Sequence, residues 1–390
     1  MAGTMAQSRG WTGPAVLSFG FRPFFLLAAA WALVAMALWV GWLAGAVPFD
    51  PPLPPLEWHV HALLFGYGGA VVAGFLLTAV PNWTGRLPVV GWPLAWLAGL
   101  WTAGRVVTTV PLGLPAAAVA VLDLAFTVAV LGFLAREVVA GRNWRNLKVL
   151  VPLGVFLLAQ GLFHWGPPGP GQRLGVAAIV FLILLIGGRI VPSFTRNWLS
   201  RQAPGGALPT PFGRLDALAM GLAAVALLTW VALPREPVSG VLALAAGILH
   251  LVRLARWQGH RTGAEPLVWV LHAGYGLAAA GFGLLGAAVL APAHVPLVAA
   301  LHLWTAGAMG VMTLAVMTRA TLGHTGRPLV AGRMTTAIYG LALASVAARL
   351  VATVTPLPGL VEASGALWLG AFGLYLAVYG PMLLAPRAGG

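Results

Sequence analysis

Cysteine is absent from this chain of 390 residues, and charge is scarce: 8% of the residues are Asp, Glu, Lys or Arg. Without thiols there are no disulfides, thiolate metal sites or iron–sulfur clusters, and no covalent C-x-x-C-H haem attachment. Any haem is therefore held non-covalently, by histidine or methionine. Acidic residues number 8 against 22 Lys and Arg. The resulting charge of +14 would suit nucleic acid, but the arginines sit in short loops between apolar runs rather than on one polar face, so no nucleic-acid partner is expected. Soluble domains carry about a quarter charged residues. With 60% apolar residues and a mean hydropathy of +0.91, this composition belongs to an integral membrane protein.

Apolar runs are what the chain has in excess. A membrane helix needs about 20 residues, and twelve stretches qualify: 21–45, 58–82, 91–111, 115–138, 147–166, 172–192, 213–233, 238–256, 266–290, 295–320, 331–355 and 360–385. The first, continuing to Gly45, is too long for a signal-peptide core and reads as a retained span. Proline and glycine mark the turns, as in "FDPPLPP" and "GPPGPG". The expectation is an all-α integral membrane protein, one polytopic domain over 1–390, built as a bundle of about twelve transmembrane helices. Basic residues set its orientation. With the N-terminal segment 1–20 inside, only Arg173 and Arg235 fall in outer loops and only Arg105 and Arg349 within spans; the remaining Lys and Arg, including Arg9 and Arg86, are inside. Both termini are then cytoplasmic.

Polar residues within apolar spans are costly and mark function. Depth at about 1.5 Å per residue puts His59 and His61 at the outer edge of the second span, His164 at the outer end of the fifth, and His302 in the outer third of the tenth. These four are candidate metal or cofactor ligands. Residues two apart on a helix point about 200° apart, so His59 and His61 do not readily bind one metal together. Either each serves a different site, or one is a ligand and the other a rim residue; interfacial anchoring beside Trp58 is the bland alternative. Arg105 and Arg349 reach the same level. Arg105 either pairs with Asp123 across the turn between spans 3 and 4, or one or both arginines face the carboxylates of a haem. His272, deeper and three residues before Tyr275, is a further candidate metal ligand, a relay member or an ordinary hydrogen-bond partner. Met309, Met312 and Met317 read as gap fillers. Gly66, Ala70 and Gly74 form a small-residue stripe suited to close helix packing.

Three stretches carry a resemblance: "SFGFRPFFLLAAAW" at 18–31, "WHVHALLFGYGGAVVAGFLLTAVPNWTGR" at 58–86 and "GVMTLAVMTRATLGHTGR" at 310–327. They resemble the NnrS family of bacterial membrane proteins, over nearly the whole chain. The resemblance implies a twelve-span protein of the bacterial inner (cytoplasmic) membrane. It implies non-covalent haem, of b type, with copper, and a role in the nitric oxide response beside denitrification or in protection from nitrosative stress. The family's W-H-x-H motif matches Trp58, His59 and His61. Where that motif continues with Glu-Met, this chain has Ala62 and Leu63, so whatever that glutamate supplies is either missing here or passes to Glu57. The arrangement is also similar to haem–copper oxidases and nitric oxide reductases, although their vicinal His-His pair is absent.

Two functions follow as expectations. In the first, His59, His61, His164 and His302 hold haem and copper that take up nitric oxide, as a ligand or as a substrate reduced with electrons from a separate quinol or cytochrome donor. In the second, the chain is a metal-free secondary transporter with a midplane site near Gln160 or His272.

Overall fold

The computed structural model describes residues 11–84, 88–202, 206–355 and 357–388; Arg9 and Arg86, counted in the charge asymmetry, lie outside these. All regular structure among the described residues is helical. Twelve long helices follow the twelve apolar runs. α1 is Phe21–Leu43. α2 runs Pro55–His61, widens into a π-helical segment Ala62–Gly68, and continues as Gly69–Thr84. α3 is Trp92–Thr109, α4 Ala116–Ala140, α5 Leu147–Trp165 and α6 Pro168–Gln202. α7 is Arg214–Ala232, α8 Pro237–Ala255 and α9 Pro266–Leu290. α10 runs Leu297–His302, passes through a second π-helical segment Leu303–Met309, and continues as Gly310–His324. α11 is Arg333–Val354 and α12 Leu360–Leu384.

Among the described residues, eleven of these helices are long and apolar enough to cross a membrane, one fewer than the sequence suggests. The exception is α3. It is helical, but Arg105 and its threonines and tryptophans lower its hydropathy below that of its neighbours. Proline opens several helices, at Pro55, Pro237 and Pro266, where its missing N–H leaves no bond unmade.

The chain divides into two compact units, one of 1–175 with 320–328 and 372–390, the other of 176–319 with 329–371. In the first, α1 packs along α2, and α3, α4 and α5 pack in sequence. The small-residue stripe serves that packing. A Cβ on Gly74 would come within 2.9 Å of Phe24, and one on Gly66 within 2.5 Å of the Arg105 guanidinium. Thr78 fastens α1 to α2: its hydroxyl donates to the Gly74 carbonyl at 2.7 Å and accepts the Phe21 N–H at 2.9 Å. Arg22 caps the far end of α12, donating to the carbonyls of Leu383 at 2.9 Å and Ala385 at 2.6 Å. These groups would otherwise be orphans at a helix C-terminus.

In the second unit, α8 and α9 meet backbone to backbone. A Cβ on Gly240 would approach the Gly286 carbonyl to 3.1 Å, and one on Gly247 the Gly283 nitrogen to 3.1 Å. Glycine at both crossings permits this approach. A buried network then ties α7, α8 and α9 together. His250 Nδ1 pairs with the Tyr275 hydroxyl at 2.7 Å, which also accepts from Arg253 at 2.7 Å, and Arg253 Nε donates to Asp216 at 2.8 Å. Met309, Met312 and Met317 are buried core side chains.

Candidate metal centre

The site begins with the second π segment's counterpart in α2. A π turn bonds i to i+5 and releases carbonyls from the regular ladder. Two are taken by indoles: Trp31 of α1 donates to the Ala62 carbonyl at 2.9 Å, and Trp101 of α3 to the Gly66 carbonyl at 3.0 Å. The π segment is thereby clamped from both sides, with His61 fixed just before it.

His61 is wholly buried, and its Nε2 lies 2.8 Å from Asp123 Oδ2 of α4. His164, near the end of α5, places its own Nε2 2.8 Å from the same oxygen. Gln160, one turn before His164, donates to that oxygen at 2.7 Å, and its side-chain carbonyl accepts from Thr127 at 2.7 Å. Asp123 and Thr127, like Gln160 and His164, are four apart and share a helix face. The other carboxylate oxygen, Oδ1, accepts from Arg105 of α3. Four helices thus meet on one carboxylate. The ligand atoms of His61, Asp123 and His164 lie within 4.8 Å of one another, and among the described residues no other His, Asp and Glu cluster meets that condition.

A buried carboxylate needs compensation, and Arg105 supplies it. Yet the network is not closed. His61 Nδ1 and the Nε and Nη1 of Arg105 are buried without a hydrogen-bond partner. Orphaned polar atoms around convergent donors suit a ligand. Two imidazoles and a carboxylate suit copper, zinc or iron. A haem macrocycle does not fit between donors this close, because Phe65 and Phe163 pack against the His61 ring with centroids 5.3 and 5.4 Å away.

Among the described residues, the other candidates are not members of this cluster. His59 stacks on Trp39 of α1, with centroids 4.3 Å apart and planes 20° from parallel; helical geometry has turned it away from His61. His272 pairs through Nε2 with the Thr195 hydroxyl at 2.8 Å, and not with Tyr275, which belongs to the Arg253 network. His302 and Arg349 belong to the second unit. The sequence offers Asp123 only as one of two partners for Arg105, and Gln160 only in the transporter alternative; the signal for both as site residues is the i, i+4 polar pairing on two adjacent apolar helices.

Comparison with known families matches residues 15–387, nearly the whole chain, to the family described as NnrS protein. Comparison with curated proteins gives no match.

Proposed function

The chain belongs to the NnrS family, and from that premise we propose that it binds a metal ion at His61, Asp123 and His164 and handles nitric oxide in the bacterial cytoplasmic membrane. The observation that carries this is the pair of imidazole Nε2 atoms, each 2.8 Å from one buried carboxylate oxygen. Copper is the metal proposed for this donor set, and bound there it supplies a Lewis-acidic, redox-active position for a small diatomic ligand. The protein's own part is positional. Arg105 balances the carboxylate charge, and Gln160, held by Thr127, fixes the carboxylate's rotation. Second-shell groups of this kind orient ligands and raise affinity. The apolar helices around the site admit a small uncharged molecule from lipid and exclude water. Haem, which the resemblance implies, is not placed at this cluster.

The experiment is metal analysis with an optical spectrum of the detergent-purified protein, before and after nitric oxide. A metal stoichiometry near one per chain and a spectral change on nitric oxide are expected. Metal-free protein with an unchanged spectrum would sink the proposal.

One observation favours a second reading. Two imidazoles, His61 and His164, lie beside one carboxylate, and neutral imidazoles are groups that can take up and release a proton, as a metal-free proton-coupled transporter requires. Proton-coupled flux of a solute by metal-free protein would select that reading.

A further inference from the structure

The two π-helical segments occupy matching places in the sequence. Residues 55–86 and 296–327 align without a gap: Pro55 with Pro296, His61 with His302, Gly66 with Gly307, Gly69 with Gly310, and both stretches end in Thr-Gly-Arg. In this alignment Ala62–Gly68 falls on Leu303–Met309. π segments are rare, so two in one register beside aligned histidines mark a repeat and not a coincidence. The next helix extends it. α3 closes with "RVVTTV" at 105–110 and α11 with "RLVATV" at 349–354, which sets Arg105 against Arg349. The following helices, Ala116–Ala140 and Leu360–Leu384, both have 25 residues. In each copy the π-segment glycine opens toward the following helix, Gly66 to Arg105 and Gly307 to Val346.

One position breaks the repeat. The eighth residue of α4 is Asp123; the eighth of α12 is Leu367. Arg349 therefore has no carboxylate where Arg105 has one, and among the described residues it makes no ion pair. α11 packs against the Leu297–His302 part of α10, and Val346, one turn before Arg349, faces Gly307 of the same helix. His302 Nδ1 donates to the Val298 carbonyl at 2.8 Å, so its Nε2 carries the lone pair. Both side chains are only half-buried and within reach of a ligand.

We infer that His302 and Arg349 form a second ligand site, the repeat's counterpart of His61 and Arg105, in which an external oxyanion takes the place of the missing carboxylate. A guanidinium inside a span needs a counter-anion and pairs best with a planar or tetrahedral oxyanion. The Nε2 lone pair selects an anion that keeps one O–H to donate. A phosphate monoanion or phosphomonoester has both features. It comes either from solution as inorganic phosphate or from the bilayer as phosphatidic acid.

The test reads thermal stability of the full-length protein in phosphatidylcholine nanodiscs. One arm adds inorganic phosphate; the other replaces part of the lipid with phosphatidic acid, with phosphatidylglycerol as the diester control that lacks the O–H. Wild type should gain stability with phosphate or phosphatidic acid, and the responding arm identifies the source. Arg349→Gln and Leu367→Asp should each weaken that response about 10- to 100-fold in apparent affinity, the loss of one charge-assisted contact. Leu367→Asp should also raise stability without ligand, because it rebuilds the acid of the first copy. No response from wild type in either arm, an equal response to phosphatidylglycerol, or an undiminished response in Arg349→Gln overturns the inference. His61→Ala should leave the response intact, so the result stands apart from the metal proposal.

Discussion

Asp123 and Arg105 form an ion pair between α4 and α3 with side chains 0% and 5% exposed. Removing one partner of such a pair leaves an uncompensated charge. Arg105→Leu should cost about 3–5 kcal/mol, and Asp123→Asn a similar amount, because the neutral amide leaves the Arg105 charge buried without its counter-ion. The double variant Arg105→Leu with Asp123→Leu should recover part of the loss. Denaturation in detergent, followed by tryptophan fluorescence, measures all three.

Gly66 leaves room for two buried donor side chains. A Cβ there would stand 2.5 Å from Arg105 Nη1 and 2.7 Å from Trp31 Nε1. Gly66→Ala should destabilise by about 1–3 kcal/mol through overpacking. It should also lower metal content by shifting Arg105. Gly99→Ala, with nothing within 4 Å of its Cβ position, is the control and should be tolerated.

The two histidines of the W-H-x-H motif should separate by readout. His59 stacks on Trp39, and His59→Ala should cost about 0.5–1.5 kcal/mol of stability while metal content stays unchanged. His61→Ala should abolish metal binding. Equal metal loss in both would place His59 among the ligands.

Tyr275 serves both His250 and Arg253. Tyr275→Phe strands His250 Nδ1 and removes the shortest contact of Arg253 Nη1, at a cost of about 1–3 kcal/mol, and should leave the metal centre of the first unit intact. Thermal unfolding with parallel metal analysis checks both statements.

Much of this was legible in the residues. Apolar run length located all twelve helices, and the missing cysteines removed thiolate chemistry. The apolar run over α3 is long enough to span, but Arg105 and the threonines within it lower its hydropathy below that of the other long helices that qualify. His61 and His164 stood out as intramembrane imidazoles. Depth along a helix places them at one level but gives no azimuth, and His59, at the same level, turns instead onto Trp39. Asp123 was visible as the Arg105 counter-ion. Its role as the oxygen on which two histidines and Gln160 converge depends on the packing of α2, α4 and α5, which no single helix encodes. The π segments were not legible at all: nothing in "ALLFGYG" or "LWTAGAM" departs from an ordinary helix. Only once both are seen does the repeat that aligns His61 with His302 emerge.

The most direct measurement is metal content per chain in wild type, His164→Ala and His260→Ala, purified identically and confirmed folded by size exclusion. His164 bears on the buried carboxylate, whereas His260 is exposed on the short 3-10 turn Gly259–Arg261. The account predicts one bound ion in wild type and His260→Ala and none in His164→Ala. The same metal content in His164→Ala as in wild type would contradict it.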